Sequence, residues 1–189
     1  MVIFAQLQRL FTSHTDKKRA QYLYIALVEQ ARNPVFYTEL AVPDTLDGRF
    51  DMIILHMHLV LQRLQAGFER SPELRELSRE LIEYYFADMD RSLREMGVGD
   101  TGIRYRVQKM SSAFYGRLEA YGMADDDPKI WPEALRRNIY GTSDTPTAQQ
   151  IAVLTQYIKE SQTALTKCTD DVTGENLSFA EIESGKASA

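Results

Sequence analysis

The sequence predicts an all-α fold, a single-domain bundle of about seven or eight helices around one central apolar helix. Apolar residues recur at spacings of three and four in segment after segment, which is the period of a helix, and alternation with a period of two is scarce. Prolines and glycines stand at the ends of these segments, where helices begin and end. A length of 189 residues suits one domain. These observations together favour a compact helical module.

The apolar stripes place the helices in order along the chain. The first stripe runs between Asp16 and Asn33, and three later ones run between Pro72 and Met96, from Ile103 to Tyr121 and from Ile151 to Leu165. In each case one face is apolar and the opposite face is charged, as expected for a helix that packs against a core.

The segment from Phe50 to Leu64 predicts a different kind of helix. Met52, Leu55 and Leu59 point almost opposite to the face formed by Phe50, Ile53, Ile54, Met57, Leu61 and Leu64. A helix that is apolar on two faces is surrounded by neighbours. We therefore expect this segment to be the central element of the fold.

The chain is predicted to comprise a helical domain over residues 1–168 and an acidic, partly flexible tail over residues 169–189. The tail contains five acidic residues and one lysine. Within it, Ser178 and Glu181 have the spacing of a capping box, which predicts a short terminal helix.

Composition excludes several classes of protein. A single cysteine, Cys168, allows no intramolecular disulfide and favours a reducing compartment. A net charge of −5 argues against DNA as a partner. The longest apolar stretch is about half of the roughly 20 residues that a spanning helix needs. The N-terminal residues lack a secretory pattern, so we expect a cytoplasmic protein with no membrane span.

Candidate chemistry is sparse, and the sequence predicts no catalytic residue, no metal site and no cofactor. His56 and His58 are two residues apart and therefore diverge on a helix, so they do not share one ion from the same face. Asp88 stands in a pair of acids that also diverges. A helical metal-binding or haem-binding protein or enzyme that uses His56, His58 or Asp88 is the alternative to a binding protein.

The join from Ala31 to Asp51 is the most distinctive part of the sequence, and we call residues 32–50 the elbow. Pro34 and Pro43 interrupt the chain on either side of a short apolar turn. Asp44, Thr45 and Asp47 are suited to cap the central helix, and Arg49 lies near carboxylates. The aromatic residues Phe36, Tyr37 and Phe50 supply large apolar area. One interpretation is a connector pinned by aromatics, and the other is a groove that accepts an apolar segment of a partner.

At these residues the sequence resembles the ubiquinol–cytochrome c chaperone family. The resemblance rests on Ala31–Tyr37, Val42–Thr45, Asp47–Asp51, Asp88–Asp100 and the run from Lys109 to Arg117. It covers about Asp16 to Lys167, which is most of the chain.

The resemblance implies an all-α assembly chaperone that is not an enzyme. Its implied client is newly made cytochrome b, a membrane subunit of ubiquinol–cytochrome c reductase. It also implies two further partners, the ribosome near the tunnel exit and a small partner protein, and work at the membrane surface. Because no organelle-targeting pattern precedes the region of resemblance, we expect the bacterial type, cytoplasmic or peripheral at the inner membrane.

On this basis the sequence predicts a partner-binding site in the elbow. Its contact residues are Phe36, Tyr37 and Phe50, next to Pro43. Asp44, Asp47 and Arg49 are expected to fix the loop that frames them.

Overall fold

A computed structural model of the chain is all-helical, which confirms the predicted fold class. It describes the backbone of residues 2–141, 146–169, 172 and 174–182, and the side chains of these from residue 17 onward. In those ranges the helices are α1 (Val2–Ala31), α2 (Pro34–Thr38), α3 (Leu46–Gln65), α4 (Glu73–Glu95), α5 (Asp100–Asp126), α6 (Trp131–Asn138) and α7 (Ala148–Thr166). Since α2 has only five residues, six described helices have eight residues or more, slightly fewer than predicted.

The predicted stripes fall inside observed helices. The first helix begins at Val2 and not near Asp16, and its buried residues include the predicted Ala20, Leu23 and Leu27. Helix α4 agrees with its prediction to within a residue at each end. The apolar period therefore locates the helices correctly and their first residues less well.

Helix α3 is the centre of the bundle, as predicted. It packs against α1, α4, α5 and α7. Thirteen of its 20 residues are buried, among them Met52 and Leu55 on one face and Ile54 and Met57 on the other. The two-sided apolar pattern therefore reflects neighbours on both sides of the helix.

Arg63 and His58 are two of the four buried polar residues of α3, and they have partners at the end of α7 and on α5. The Arg63 guanidinium donates hydrogen bonds to the carbonyl oxygens of Leu165 (3.1 Å) and Cys168 (2.6 Å), where α7 ends. The His58 Nε2 atom lies 2.7 Å from the Asp125 carboxylate of α5. Because a buried polar group without a partner is costly, these contacts favour one arrangement of α5 and α7 around α3.

The C-terminal residues that the structure describes, 177–182, do not form the short helix expected between Ser178 and Glu181, so that prediction is wrong. Residues 177–182 have irregular backbone. Leu177, Phe179 and Ile182 instead pack against the core. Contacts of these side chains with the core outweigh the local capping signal.

No helix in the described residues is long and apolar enough to cross a membrane.

Candidate functional site

The elbow is a tight and well-defined turn. The chain leaves α2 through Ala41, a residue with a positive φ of 55°. The N–H group of Val42 donates to the Phe36 carbonyl oxygen at 3.0 Å and closes the turn. A non-glycine residue in this left-handed region is uncommon, so the surrounding contacts must hold it there.

Side chains from other parts of the chain supply those contacts. The Tyr140 hydroxyl donates to the Leu40 carbonyl oxygen at 2.8 Å, and the Gln150 amide donates to the Glu39 carbonyl oxygen at 2.9 Å. The elbow backbone is therefore fixed by the segments around α6 and α7, and its surface is preformed.

The start of α3 closes tightly onto the elbow. Thr45 caps the helix as predicted, since its Oγ1 atom accepts from the Gly48 N–H group at 3.1 Å. A β-carbon added at Gly48 would lie 2.0 Å from the Pro43 carbonyl oxygen, far inside contact distance. Only glycine fits this close approach of two backbone segments.

The solvent-facing side of this turn combines charged and apolar groups. The Arg49 Nε atom donates to the Asp44 carboxylate at 2.6 Å, and both side chains are exposed. This hydrogen bond lowers the pKa of Asp44. Leu46 is 62% exposed in the first turn of α3. We define the elbow surface as Tyr37, Pro43, Asp44, Leu46, Asp47, Arg49 and Phe50.

Tyr37, Pro43 and Phe50 are half-buried members of this surface. The Tyr37 hydroxyl donates to the Ala31 carbonyl oxygen at 2.7 Å, and burial raises the pKa of Tyr37 to about 12. The Phe50 ring lies under the Arg117 guanidinium, with 5.9 Å between the guanidinium carbon and the ring centroid. These rings present one face to the core and leave part of their area to solvent.

Phe36 is not part of the surface. The side chain is fully buried, and its ring contacts the rings of His56 and Tyr157 edge-on at centroid distances of 5.4 and 5.1 Å. The expectation that Phe36 faces a groove is therefore wrong for this structure. Phe36 supports the elbow from the core side, because the partners that cover it come from α3 and α7.

Next to Phe50, Asp51 is a buried carboxyl group. Its Oδ1 atom lies 2.8 Å from the Arg117 Nε atom, in an ion pair whose angles are not those of a hydrogen bond. Burial raises the pKa of Asp51 to about 7 despite this neighbour. The pair joins the first half of α3 to α5 beneath the elbow surface.

The ring of His56 is completely buried, and both of its nitrogens have partners. Nδ1 lies 2.8 Å from the Met52 carbonyl oxygen, so Nδ1 carries the proton and donates it. Nε2 then accepts from the Tyr157 hydroxyl at 2.7 Å, and that hydroxyl accepts from the Gln30 amide. Burial lowers the pKa of His56 to about 4. The imidazole is therefore neutral, and each of its two nitrogens takes part in a hydrogen bond. Neither nitrogen has a free lone pair to coordinate a metal or haem iron.

The other two residues of the metal or haem alternative are His58 and Asp88, and their neighbours differ from those of His56. His58 faces Asp125, on a different side of α3 from His56. Asp88 accepts from the Tyr24 hydroxyl at 2.9 Å and pairs with Arg91. In the described part of the chain, no three acidic, histidine or cysteine side chains converge as a metal site would need. The geometry therefore gives the metal or haem alternative no support.

Two features near the elbow are not predicted by the sequence. One is Leu46, since a single exposed leucine has no distinctive sequence pattern. The other is the C-terminal segment, whose Phe179 ring lies 5.2 Å from the His56 ring. The alternation of Leu177, Ser178 and Phe179 favours an extended segment, but the capping-box spacing pointed to a helix instead.

The fold and the elbow surface define a class, an all-α module with a preformed surface that is partly apolar and partly charged, as protein-binding modules have. The model of the ubiquinol–cytochrome c chaperone family matches residues 38–174. The chain therefore belongs to the ubiquinol–cytochrome c chaperone family, as the resemblance predicts.

Similar proteins agree with this assignment. A solved structure of the Cbp3 homolog from Brucella abortus is 30% identical, with a TM-score of 0.75, over 96% of this chain and 98% of that one. Ubiquinol-cytochrome-c reductase complex assembly factor 1 of Xenopus laevis is 24% identical over 85% of this chain and 77% of its own length. The mouse protein of that name is 23% identical over 85% of this chain. The chain spans only 52% of the mouse protein.

The contact between Gly48 and Pro43 makes a testable prediction about the elbow. We expect Gly48→Ala to lower the free energy of unfolding by about 3 kcal/mol, because the added methyl group meets a backbone carbonyl that has no room to move. Chemical denaturation followed by circular dichroism measures the change.

Gly116→Ala is the matched control, since Gly116 is an exposed residue inside α5 with open space around an added β-carbon. We expect this variant to be more stable than the wild type by about 0.5–1 kcal/mol. Equal effects of the two substitutions would contradict the tight packing of the elbow against α3.

Burial of His56 makes a prediction about pH. Because the pKa of His56 is lower in the folded protein than its ordinary 6.5, the folded state binds fewer protons between pH 6.5 and 4. The contribution of His56 to the free energy of unfolding is complete above pH 6.5 and is lost as the pH falls towards 4. We expect the free energy of unfolding of the wild type to fall by about 3 kcal/mol more than that of His56→Gln over this range.

The measurement is the free energy of unfolding of both proteins at intervals between pH 7 and 4. Titration of other groups affects both proteins and cancels in the difference. Parallel curves for the two proteins would show that His56 is not held neutral by burial.

Proposed function

We propose that this protein is an assembly chaperone of ubiquinol–cytochrome c reductase that binds newly synthesised cytochrome b and catalyses no reaction. The observation that carries the proposal is the family match over residues 38–174, which includes most of the elbow and all of α3. The names of the similar animal proteins, reductase complex assembly factors, point to the same complex.

The physical task explains why a rigid helical module suits this role. Cytochrome b is a membrane protein, and its apolar segments aggregate in water unless another surface covers them. A surface that is fixed before binding loses little conformational entropy when the client arrives. The hydrogen bonds from Tyr140 and Gln150 to the elbow backbone provide such a surface.

The elbow surface is the proposed contact site. Leu46, Tyr37 and Phe50 offer apolar area, and Arg49 and Asp44 form a charged rim beside it. An apolar centre with a polar rim is the usual anatomy of a protein interface. Phe36 contributes indirectly, through packing beneath the turn.

The setting of this activity follows from the same proposal. The protein acts in the bacterial cytoplasm, peripherally at the inner membrane, where new cytochrome b emerges from the ribosome. A small partner protein and the ribosome are its further proposed contacts.

Deletion of the gene in the organism that encodes it tests the proposal. We expect cytochrome b to fall severalfold, since uncovered apolar segments are degraded, while subunits of other respiratory complexes stay at normal levels. Immunoblots and haem absorbance spectra of membranes measure both. Normal cytochrome b in the deletion strain would refute the proposal.

A second experiment tests the elbow surface. We expect the double substitution Leu46→Ser and Arg49→Ser to reduce capture of newly translated cytochrome b roughly fivefold, because it removes an exposed apolar anchor and its charged neighbour. Both side chains are exposed, so stability should change by less than about 0.5 kcal/mol for each. Cell-free translation with affinity purification of the chaperone measures capture.

The matched control is Met96→Ser, which removes a 54% exposed apolar side chain at the end of α4, outside the elbow. We expect this variant to capture cytochrome b as the wild type does. Equal losses in the control and the double variant would place the contact site elsewhere.

A further inference from the structure

The chain beyond α7 returns to the side of the bundle where the elbow begins. Val172 is buried, and its carbonyl oxygen accepts from the Arg19 guanidinium at 3.2 Å. At Gly174 an added β-carbon would lie 2.6 Å from the Tyr22 carbonyl oxygen, so the two backbones are in direct contact. We call residues 174–182, which follow this anchor, the strap.

Residues 177–182 of the strap pack on the bundle with irregular backbone, in neither a helix nor a turn. Leu177, Phe179, Ala180 and Ile182 are half-buried against the core, while Ser178 and Glu181 are exposed. From Leu177 to Phe179 the half-buried and exposed side chains alternate, as in an extended segment that lies along a surface.

The surface under the strap is formed by α3 and α7. The Phe179 ring contacts the His56 ring edge-on, at a centroid distance of 5.2 Å. The Ala180 N–H group donates to the Ser161 hydroxyl of α7 at 3.1 Å. Below these contacts lie Phe36 and Tyr157, so Phe179 covers the outer side of a buried aromatic cluster.

Beside the strap the groove remains open. A cavity of about 770 Å³ separates the strap from the end of α1 and the start of the elbow. Glu29, Gln30, Arg32, Asn33 and Pro34 line its far wall. The strap therefore forms one wall of a groove whose other wall is the end of α1 and the start of the elbow.

The family match includes α3 and α7 and ends at Gly174, the first residue of the strap. The surface for Phe179 and Ala180 thus lies in the part of the chain that the family model covers, whereas the segment on it lies beyond that part.

We propose that the groove over His56 and Ser161 is a binding site for an extended apolar peptide, and that the strap is its resident occupant. The incoming ligand is an apolar segment of the client with a large side chain in the place of Phe179. The inference rests on the proposed function for the identity of the client, and it adds the site and the way in which that site is covered.

The contacts that hold the strap permit its exchange for another peptide. The strap contributes four half-buried apolar residues, whereas α3 buries thirteen residues. Because the strap is tethered, its effective concentration at the groove is on the order of millimolar, which weakens the apparent affinity of any competing peptide. Removing the Phe179 ring should therefore raise the affinity for an added peptide.

Fluorescence anisotropy with a labelled synthetic peptide of residues 174–182 tests the groove. We expect full-length Phe179→Ser to bind this peptide at least roughly tenfold more tightly than the wild type, since its own strap competes poorly. A probe peptide with serine in place of Phe179 should not bind. The matched control protein is Tyr105→Ser, which removes an aromatic ring that is 69% exposed on α5.

Failure of a folded Phe179→Ser to bind the peptide, or equal binding by Tyr105→Ser, would overturn the inference.

Hydrogen exchange of the wild-type protein tests the inference without any substitution. We expect the Ala180 amide to exchange at least roughly a hundredfold faster than the amides of α3, because the strap opens locally. Protection equal to that of α3 would also overturn the inference.

Capture of newly translated cytochrome b separates the inference from the proposed function. We expect Phe179→Ser to capture more than the wild type and an excess of the strap peptide to reduce that gain. If the wild type captures cytochrome b but neither change alters capture, the inference fails and the proposed function stands. If the peptide binds as expected but no form captures cytochrome b, the proposed function fails and the client assignment fails with it.

Discussion

The structure depends on the burial of α3 by α1, α4, α5 and α7. Removing apolar side chains from water is the main favourable term in folding, and this helix removes them on two opposite faces. Because the helix has no solvent face in its centre, each polar side chain there needs a partner from another helix. Arg63 donates to a carbonyl oxygen at the end of α7, and His58 and His56 form hydrogen bonds with Asp125 and Tyr157. The central helix therefore also sets the positions of its neighbours.

The elbow follows from the same constraint. It enters α3 at the point where Thr45 caps the helix and Gly48 meets Pro43. Once α3 is fixed in the core, this entry point is fixed too, and Tyr140 and Gln150 hold the remaining turn. A surface on such a support keeps its shape without a bound partner. That property suits a chaperone, which must recognise a client before the client has any fold of its own.

The elbow surface and the groove under the strap differ in how they are held. The elbow surface is rigid because backbone groups are tied to distant side chains. The groove is covered by a segment whose apolar side chains are only half-buried. In the further inference, the strap leaves the groove when an apolar segment of the client takes its place. Return of the tethered strap then favours release, since it competes again for the same surface.

Helix positions and the role of α3 were predictable from the sequence because both depend on local period. Apolar side chains three and four residues apart define a helix face whatever the rest of the chain does. The resemblance to the family was also visible in the sequence, because the motifs of the elbow and the runs Asp88–Asp100 and Lys109–Arg117 are specific when taken together.

Burial of an aromatic side chain in a connector was not predictable from the sequence, because the residues that cover it are far away along the chain. Phe36 is covered by Tyr157, and His56 is covered by Phe179, more than 100 residues away in each case. The same reason explains why residues 177–182 do not form a helix although the capping-box residues favour one. The sequence alone determined which segments are helical and which family the chain resembles. Only the tertiary structure decided which side of the elbow faces solvent, because packing between distant segments sets that side.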